Sequence, residues 1–123
     1  CSHKLTSHSG YLHTPFYPAY YPDYARCSWL ITVPKAHRIR LSFLSFELEE
    51  HPICQNDYVA VYEDGGRREI GKYCGKRYPR FLESTGSTLI VIFWSNFGIV
   101  RSGFKASYEA IPGNCNQTLK SMQ

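Results

Sequence analysis

The residues with the most chemistry to offer are five cysteines, Cys1, Cys27, Cys54, Cys74 and Cys115, in a chain of 123 residues. None stand in Cys-x-x-Cys pairs, which argues against a zinc ribbon or a thiol redox motif. Their wide, irregular spacing suits disulfides, and disulfides imply an oxidising compartment. Five is an odd number, so one cysteine must be free or paired outside the segment. Asn116-Gln117-Thr118 forms a glycosylation sequon, which agrees with secretion. His3, His8 and His13 recur at equal spacing, but the sequence between them is not helical, and no Cys or carboxylate completes a zinc set around them. Gly-x-Ser-x-Gly is absent, as are glycine-rich phosphate loops; Gly65-Gly66 reads as a turn. Nothing supports an active site, and the chain reads as a non-enzyme.

Two further groups of side chains are suited to binding. Tyr11, Phe16, Tyr17, Tyr20, Tyr21 and Tyr24 crowd the N-terminal quarter, and Trp94 and Phe97 flank Asn96. Tyr and Trp make good contact anchors because they offer large area with few torsions to freeze. Phe16 and Tyr17 are expected to fold onto the domain, leaving Tyr20, Tyr24 and Phe97 as contact residues. Lys35, His37, Arg38 and Arg40 form one basic cluster, and Arg67, Arg68, Lys72, Lys76, Arg77 and Arg80 a looser one. Neither aligns on a periodic face, so a solvated surface is expected. The net charge of +4, with no stripe of Lys and Arg, falls short of a nucleic-acid signature. No apolar run approaches a membrane span, so the segment reads as soluble, and no basic-then-apolar leader opens it.

The elements that must position these residues read as strands. Cys27, Trp29, Ile31 and Val33 alternate with Ser28, Leu30, Thr32 and Pro34, and Ile39, Leu41 and Phe43 alternate next. Phe46 and Leu48 continue in the opposite phase, a shift near Leu44-Ser45 that a β-bulge would produce. Tyr58 to Tyr62 is β-branched and aromatic, with a turn at Asp64-Gly65-Gly66. Thr88 to Trp94 is apolar on both faces, which predicts a central strand. Phe104, Ala106 and Tyr108 alternate after Gly103. No window gives an amphipathic helix. Pro15, Pro18 and Pro22 mark a long irregular loop. Short strands separated by turns predict an all-β, antiparallel two-sheet sandwich. The stretch from Pro112 onward is polar and aperiodic, and reads as a linker.

At this point the order of motifs resembles the CUB domain family. Cys1, then Tyr17-Pro18-Ala19-Tyr20-Tyr21-Pro22, then Cys27-Ser28-Trp29 opens the match. Ile39-x-Leu41-x-Phe43-x-x-Phe46-x-Leu48-Glu49, Cys54-x-x-Asp57-Tyr58-Val59, Tyr73-Cys74-Gly75, Phe93-Trp94-Ser95 and Gly103-Phe104-x-Ala106-x-Tyr108 complete it. The resemblance implies a jelly-roll-like CUB fold over residues 1–111, with 112–123 as a linker or the start of a next module. It implies disulfides Cys1–Cys27 and Cys54–Cys74, each contributing about 3 kcal/mol on a loop-entropy estimate. Cys115 is then left over, to be free or joined to another domain.

The resemblance also implies a calcium site, built in the family from a Glu, two Asp and a nearby Tyr. The matching positions here are Glu49, Asp57, Asn96 and Tyr21. Asn96 stands where the family carries Asp, and calcium affinity depends on the number of charged oxygen ligands, so any site should be weak. Without metal, a carboxylate pair beside a Tyr hydroxyl can receive a partner's Lys or Arg through charge-assisted hydrogen bonds. The implied role is an extracellular, non-enzymatic protein-binding module, one unit of a larger secreted or cell-surface protein. It would use Tyr21, Glu49, Asp57 and Asn96 with Tyr20, Tyr24 and Phe97. An exosite of a modular extracellular protease and a glycan-binding module are the alternatives.

Overall fold

The computed structural model describes residues 1–113; Cys115 and Asn116 lie outside the described residues. Among the described residues nine strands form two sheets: β1 (Ser2–Leu5), β2 (Ser9–His13), β3 (Arg26–Thr32), β4 (His37–Glu47), β5 (Tyr58–Glu63), β6 (Arg68–Tyr73), β7 (Phe81–Glu83), β8 (Thr88–Trp94) and β9 (Gly103–Pro112). One sheet runs β1-β3-β8-β5-β6 and the other β2-β9-β4-β7. All pairings are antiparallel except β1 with β3. Among the described residues the one helical element is a single 3-10 turn at Asp64–Gly66, and no helix is long and apolar enough to cross a membrane.

The alternation in the sequence explains the sandwich. Cys27, Trp29, Ile31 and Val33 turn inward and are buried, while their neighbours are partly or fully exposed. They meet Ile39, Leu41, Phe43 and Phe46 of β4 and Phe104, Ala106 and Tyr108 of β9 in one core. Trp29 packs edge-on to Phe104 at 5.6 Å between ring centroids. The β4–β9 register slips between Phe43 and Ser45, so both Phe43 and Phe46 reach the core although they are three residues apart. β8 lies at the centre of its sheet, between β3 and β5. Its outward residues Ile90, Ile92 and Trp94 are only half-buried, so the apolar run serves one core face and one partly open face.

Two disulfides join Cys1 to Cys27 and Cys54 to Cys74. The first holds the parallel edge strand β1 against β3. The second ties the Glu49–Asp57 segment to the end of β6, where Leu48 N–H also donates to Gly75 O at 2.9 Å. Most surface arginines have a carboxylate partner. Arg38 and Arg40 share Glu83, Arg77 meets Glu50, Arg67 meets Asp64, and Arg68 meets the buried Glu63. Within the two basic clusters the arginines Arg38, Arg40, Arg67, Arg68 and Arg77 thus form local ion pairs, while Lys35, Lys72, Lys76 and Arg80 have no carboxylate within ion-pair distance among the described residues.

Candidate functional site at the loop end of the sandwich

Antiparallel pairing brings the candidate residues together. Tyr58 sits opposite Trp94 where β5 begins and β8 ends, so Asp57 and the Ser95-Asn96 pair leave the sheet side by side. Glu49 follows β4 by two residues, and the β2–β3 loop returns Tyr21 to the same end. Asp57 Oδ2 accepts from the Tyr21 hydroxyl at 2.6 Å, and Asp57 Oδ1 accepts from the Asn96 backbone N–H at 2.9 Å. The Tyr21 Oη in turn accepts from Glu49 N–H at 3.1 Å. All four residues predicted from the sequence thus belong to one bonded cluster.

Burial changes the roles expected of two of them. Tyr21 is 1% exposed and Asp57 0%, so neither presents itself to a partner as the sequence reading expected. They form the floor that positions Glu49 and Asn96. The reason is local: the Tyr21 ring packs edge-on against Phe93 at 4.9 Å, inside the core. Burial, above all, raises the Asp57 pKa, and hydrogen bonds from Tyr21 and Asn96 only partly offset it. The Tyr21 hydroxyl is also pushed up, by burial first and then by its bond to Asp57.

Glu49 and Asn96 are the half-buried members. Glu49 Oε2 accepts from Asn56 Nδ2 at 2.9 Å. Glu49 Oε1 and Asn96 Oδ1 are buried and accept nothing. Buried acceptors without a donor are rare and costly. Both are neutral-to-anionic oxygens, the atoms that bind a hard cation or an ammonium group. Glu49 Oε1 and Asn96 Oδ1, with the Asp57 carboxylate beneath them, could hold a calcium ion, and only two of these three side chains are charged. No cluster of three His, Cys, Asp or Glu suited to a metal occurs among the described residues.

Several participants were not read from the sequence. Asn56 orients Glu49. Ser95 Oγ accepts from Ala25 N–H and donates to Pro22 O, both at 2.8 Å, fastening the two loops together. Asp23, exposed, accepts from Gly98 N–H at 3.1 Å and adds negative potential at Asp57. Polar loop residues carry no periodicity, so only the dense Asp, Ser and Asn content of these loops could have pointed to them. Glu50, the neighbour of Glu49 in sequence, is drawn off by its 2.9 Å ion pair with Arg77.

Around this cluster Tyr20, Tyr24 and Phe97 are exposed, at 61%, 62% and 70%, with Ile99 beside them in sequence at 48%. Tyr24 and Phe97 stack at 6.1 Å. Tyr24 has φ 54°, a left-handed conformation uncommon for a bulky side chain and a form of strain found at binding loops. Its N–H donates to Asn96 O at 3.2 Å, which ties the Tyr24 main chain to that of Asn96. Phe16, expected to be buried, is 72% exposed. With φ 64° at the tip of a turn closed by Ala19 N–H to Phe16 O, its side chain swings into solvent. Tyr17 is half-buried and shares a hydrogen bond with Ser45 Oγ.

Comparison with known proteins agrees with the two-sheet sandwich. The chain is 38% identical to cubilin of Rattus norvegicus over 111 residues, covering 90% of this chain and 3% of that protein. In structure it matches the extracellular region of zebrafish Gpr126/Adgrg6, with 35% identity and a TM-score of 0.82, covering 89% of this chain and 14% of that one. It also matches the MASP-1 CUB2 domain bound to Ca2+, with 27% identity and a TM-score of 0.81, covering 89% of this chain and 99% of that one. The two disulfides and the extracellular relatives place the module outside the cytosol. The family model for the CUB domain matches residues 1–108, nearly all of the described residues, and the chain belongs to the CUB domain family.

Proposed function

We propose that this CUB domain is a non-enzymatic extracellular binding module of a larger protein, and that it binds protein partners through its loop end. The observation that carries this reading is the pair of open, buried acceptors, Glu49 Oε1 and Asn96 Oδ1, beside the exposed Tyr24–Phe97 stack. A partner's Lys or Arg supplies the missing donor, and the aromatic pair supplies apolar area around it. Asp57 and Tyr21 hold the acceptors in place from below.

The same oxygens suit calcium, which the structural relative MASP-1 CUB2 binds. Here Glu49, Asp57 and Asn96 would hold it, and its charge would order the loops. With Asn96 in place of a third carboxylate, the site is a weak one. Partner capture on immobilised domain, run with calcium and with chelator, tests the reading. Glu49→Gln and Phe97→Ala should each abolish capture. Unchanged capture by both variants would place the partner elsewhere on the molecule.

A further inference from the structure

The outward face of the five-stranded sheet is the second feature that the fold leaves unexplained. Register places its residues in rows. Arg26, Trp94 and Tyr58 form one row, Ser28, Ile92 and Ala60 the next, and Leu30, Ile90 and Tyr62 the third. Lys72 pairs with Ala60 at one end, and Lys4 with Leu30 at the other. Trp94 and Tyr58 stack at 5.5 Å with their planes 14° apart. The Arg26 guanidinium covers the far face of this pair over Trp94, and the Lys72 ammonium lies over Tyr58, each 4.2 Å from the ring centroid. The result is a cation–ring–ring–cation ladder across four strands. Leu30, Ile90 and Ile92 lie alongside it as a flat aliphatic strip, partly open to solvent.

Charge on this face is one-sided. Unlike the arginines paired elsewhere, Arg26, Lys72 and Lys4 have no carboxylate within ion-pair distance among the described residues. The one acid on the face among the described residues, Glu69, lies opposite Tyr62. We propose that this face is a second interaction surface, which takes an acidic polypeptide segment whose apolar side chains cover Leu30, Ile90 and Ile92 and whose carboxylates reach Arg26, Lys72 and Lys4.

Other occupants fit less well. An anionic polysaccharide has nothing apolar to set against the aliphatic strip, and both faces of the stacked rings are already covered by side chains. A bilayer needs protruding side chains, but Leu30, the most exposed of the strip, is only 36% exposed. A second copy would bring three cations against three cations, with Glu69 as its only acid.

The test uses the intact chain and two designed peptides, one alternating Leu with Glu and its counterpart alternating Leu with Lys. Binding is followed by NMR at the Trp94 indole N–H and at the Ile90 and Ile92 methyl groups. The Glu peptide should shift these signals saturably, and the Lys peptide should not. Lys72→Glu and Lys4→Glu, both exposed and free of structural hydrogen bonds, should each weaken binding by about tenfold, a change of about 1.4 kcal/mol. Leu30→Asp should do the same by removing apolar contact. Equal binding of both peptides, or shifts confined to Tyr24, Asn96 and Phe97, would overturn the proposal. So would binding of heparin or phosphatidylserine vesicles at this face in preference to the Glu peptide, or sedimentation showing that the chain pairs with itself through it.

Discussion

The Tyr21 hydroxyl donates to Asp57 Oδ2 at 2.6 Å while both side chains are sealed from solvent, so a buried phenol anchors the carboxylate on which the loop end is built. Tyr21→Phe keeps the ring against Phe93 but leaves Asp57 Oδ2 without its donor and Glu49 N–H without its acceptor. Stranding buried polar groups costs about 1–3 kcal/mol. Urea denaturation should show a loss of that size, and an unchanged midpoint would mean that water replaces the hydroxyl without penalty.

Stability should depend on pH through two carboxylates of opposite sign. Burial raises the Asp57 pKa above its unfolded value, so the native state holds this proton more tightly. From this group, stability falls as pH rises from the ordinary carboxylate range through the raised native value. Glu83 behaves oppositely. The Arg40 hydrogen bond, followed by that from Arg38, lowers its pKa, so its contribution is present above the ordinary Glu range and is lost as pH falls through the lowered native value. Carbon-detected NMR should show Asp57 titrating above the ordinary Asp range and Glu83 below the ordinary Glu range. Shifts in the reverse directions would contradict the burial and ion pairing described above.

Ser95 should be a larger stability determinant than its size suggests. Its hydroxyl is buried and bonded to backbone groups of both Ala25 and Pro22. Ser95→Ala should cost about 1–3 kcal/mol and loosen the Tyr24–Phe97 stack, seen as increased exchange of the Tyr24 and Asn96 amides. A neutral substitution would show that the two loops are held by backbone bonds alone.

Phe97→Ala removes a side chain that is 70% exposed, so thermal stability should change by no more than about 0.5 kcal/mol. Partner capture should nevertheless fail. A marked drop in melting temperature would assign Phe97 a packing role instead.

The strands that were legible in the sequence are those with several inward residues in a row. β3, β5, β8 and β9 show it, as does β4 with the phase break that became its bulge. β1, β2, β6 and β7 were not. In β2 only Leu12 is buried, and in β7 only Leu82, so a sheet edge leaves too little alternation to detect. β6 carries Gly71 and a register break against β5 near Val61. Glu49, Asp57, Asn96 and Tyr21 were found together because the family motif orders them. Which of them lie inside was hidden, because burial of Asp57 depends on Tyr21 and Asn96 arriving from distant segments. Asn56 and Ser95 act through single hydrogen bonds that no local pattern encodes.

The central claim is that Glu49 and Asn96 present open acceptors to a cation over a floor of Asp57 and Tyr21. Calorimetric calcium titration of the wild-type domain and of Asn96→Asp tests it most directly. The wild type should bind weakly, and Asn96→Asp, by adding a third charged ligand, should bind at least about tenfold more tightly, about 1.4 kcal/mol. Tight binding by the wild type with no change on substitution would show that Asn96 Oδ1 is not a ligand, and would contradict the account.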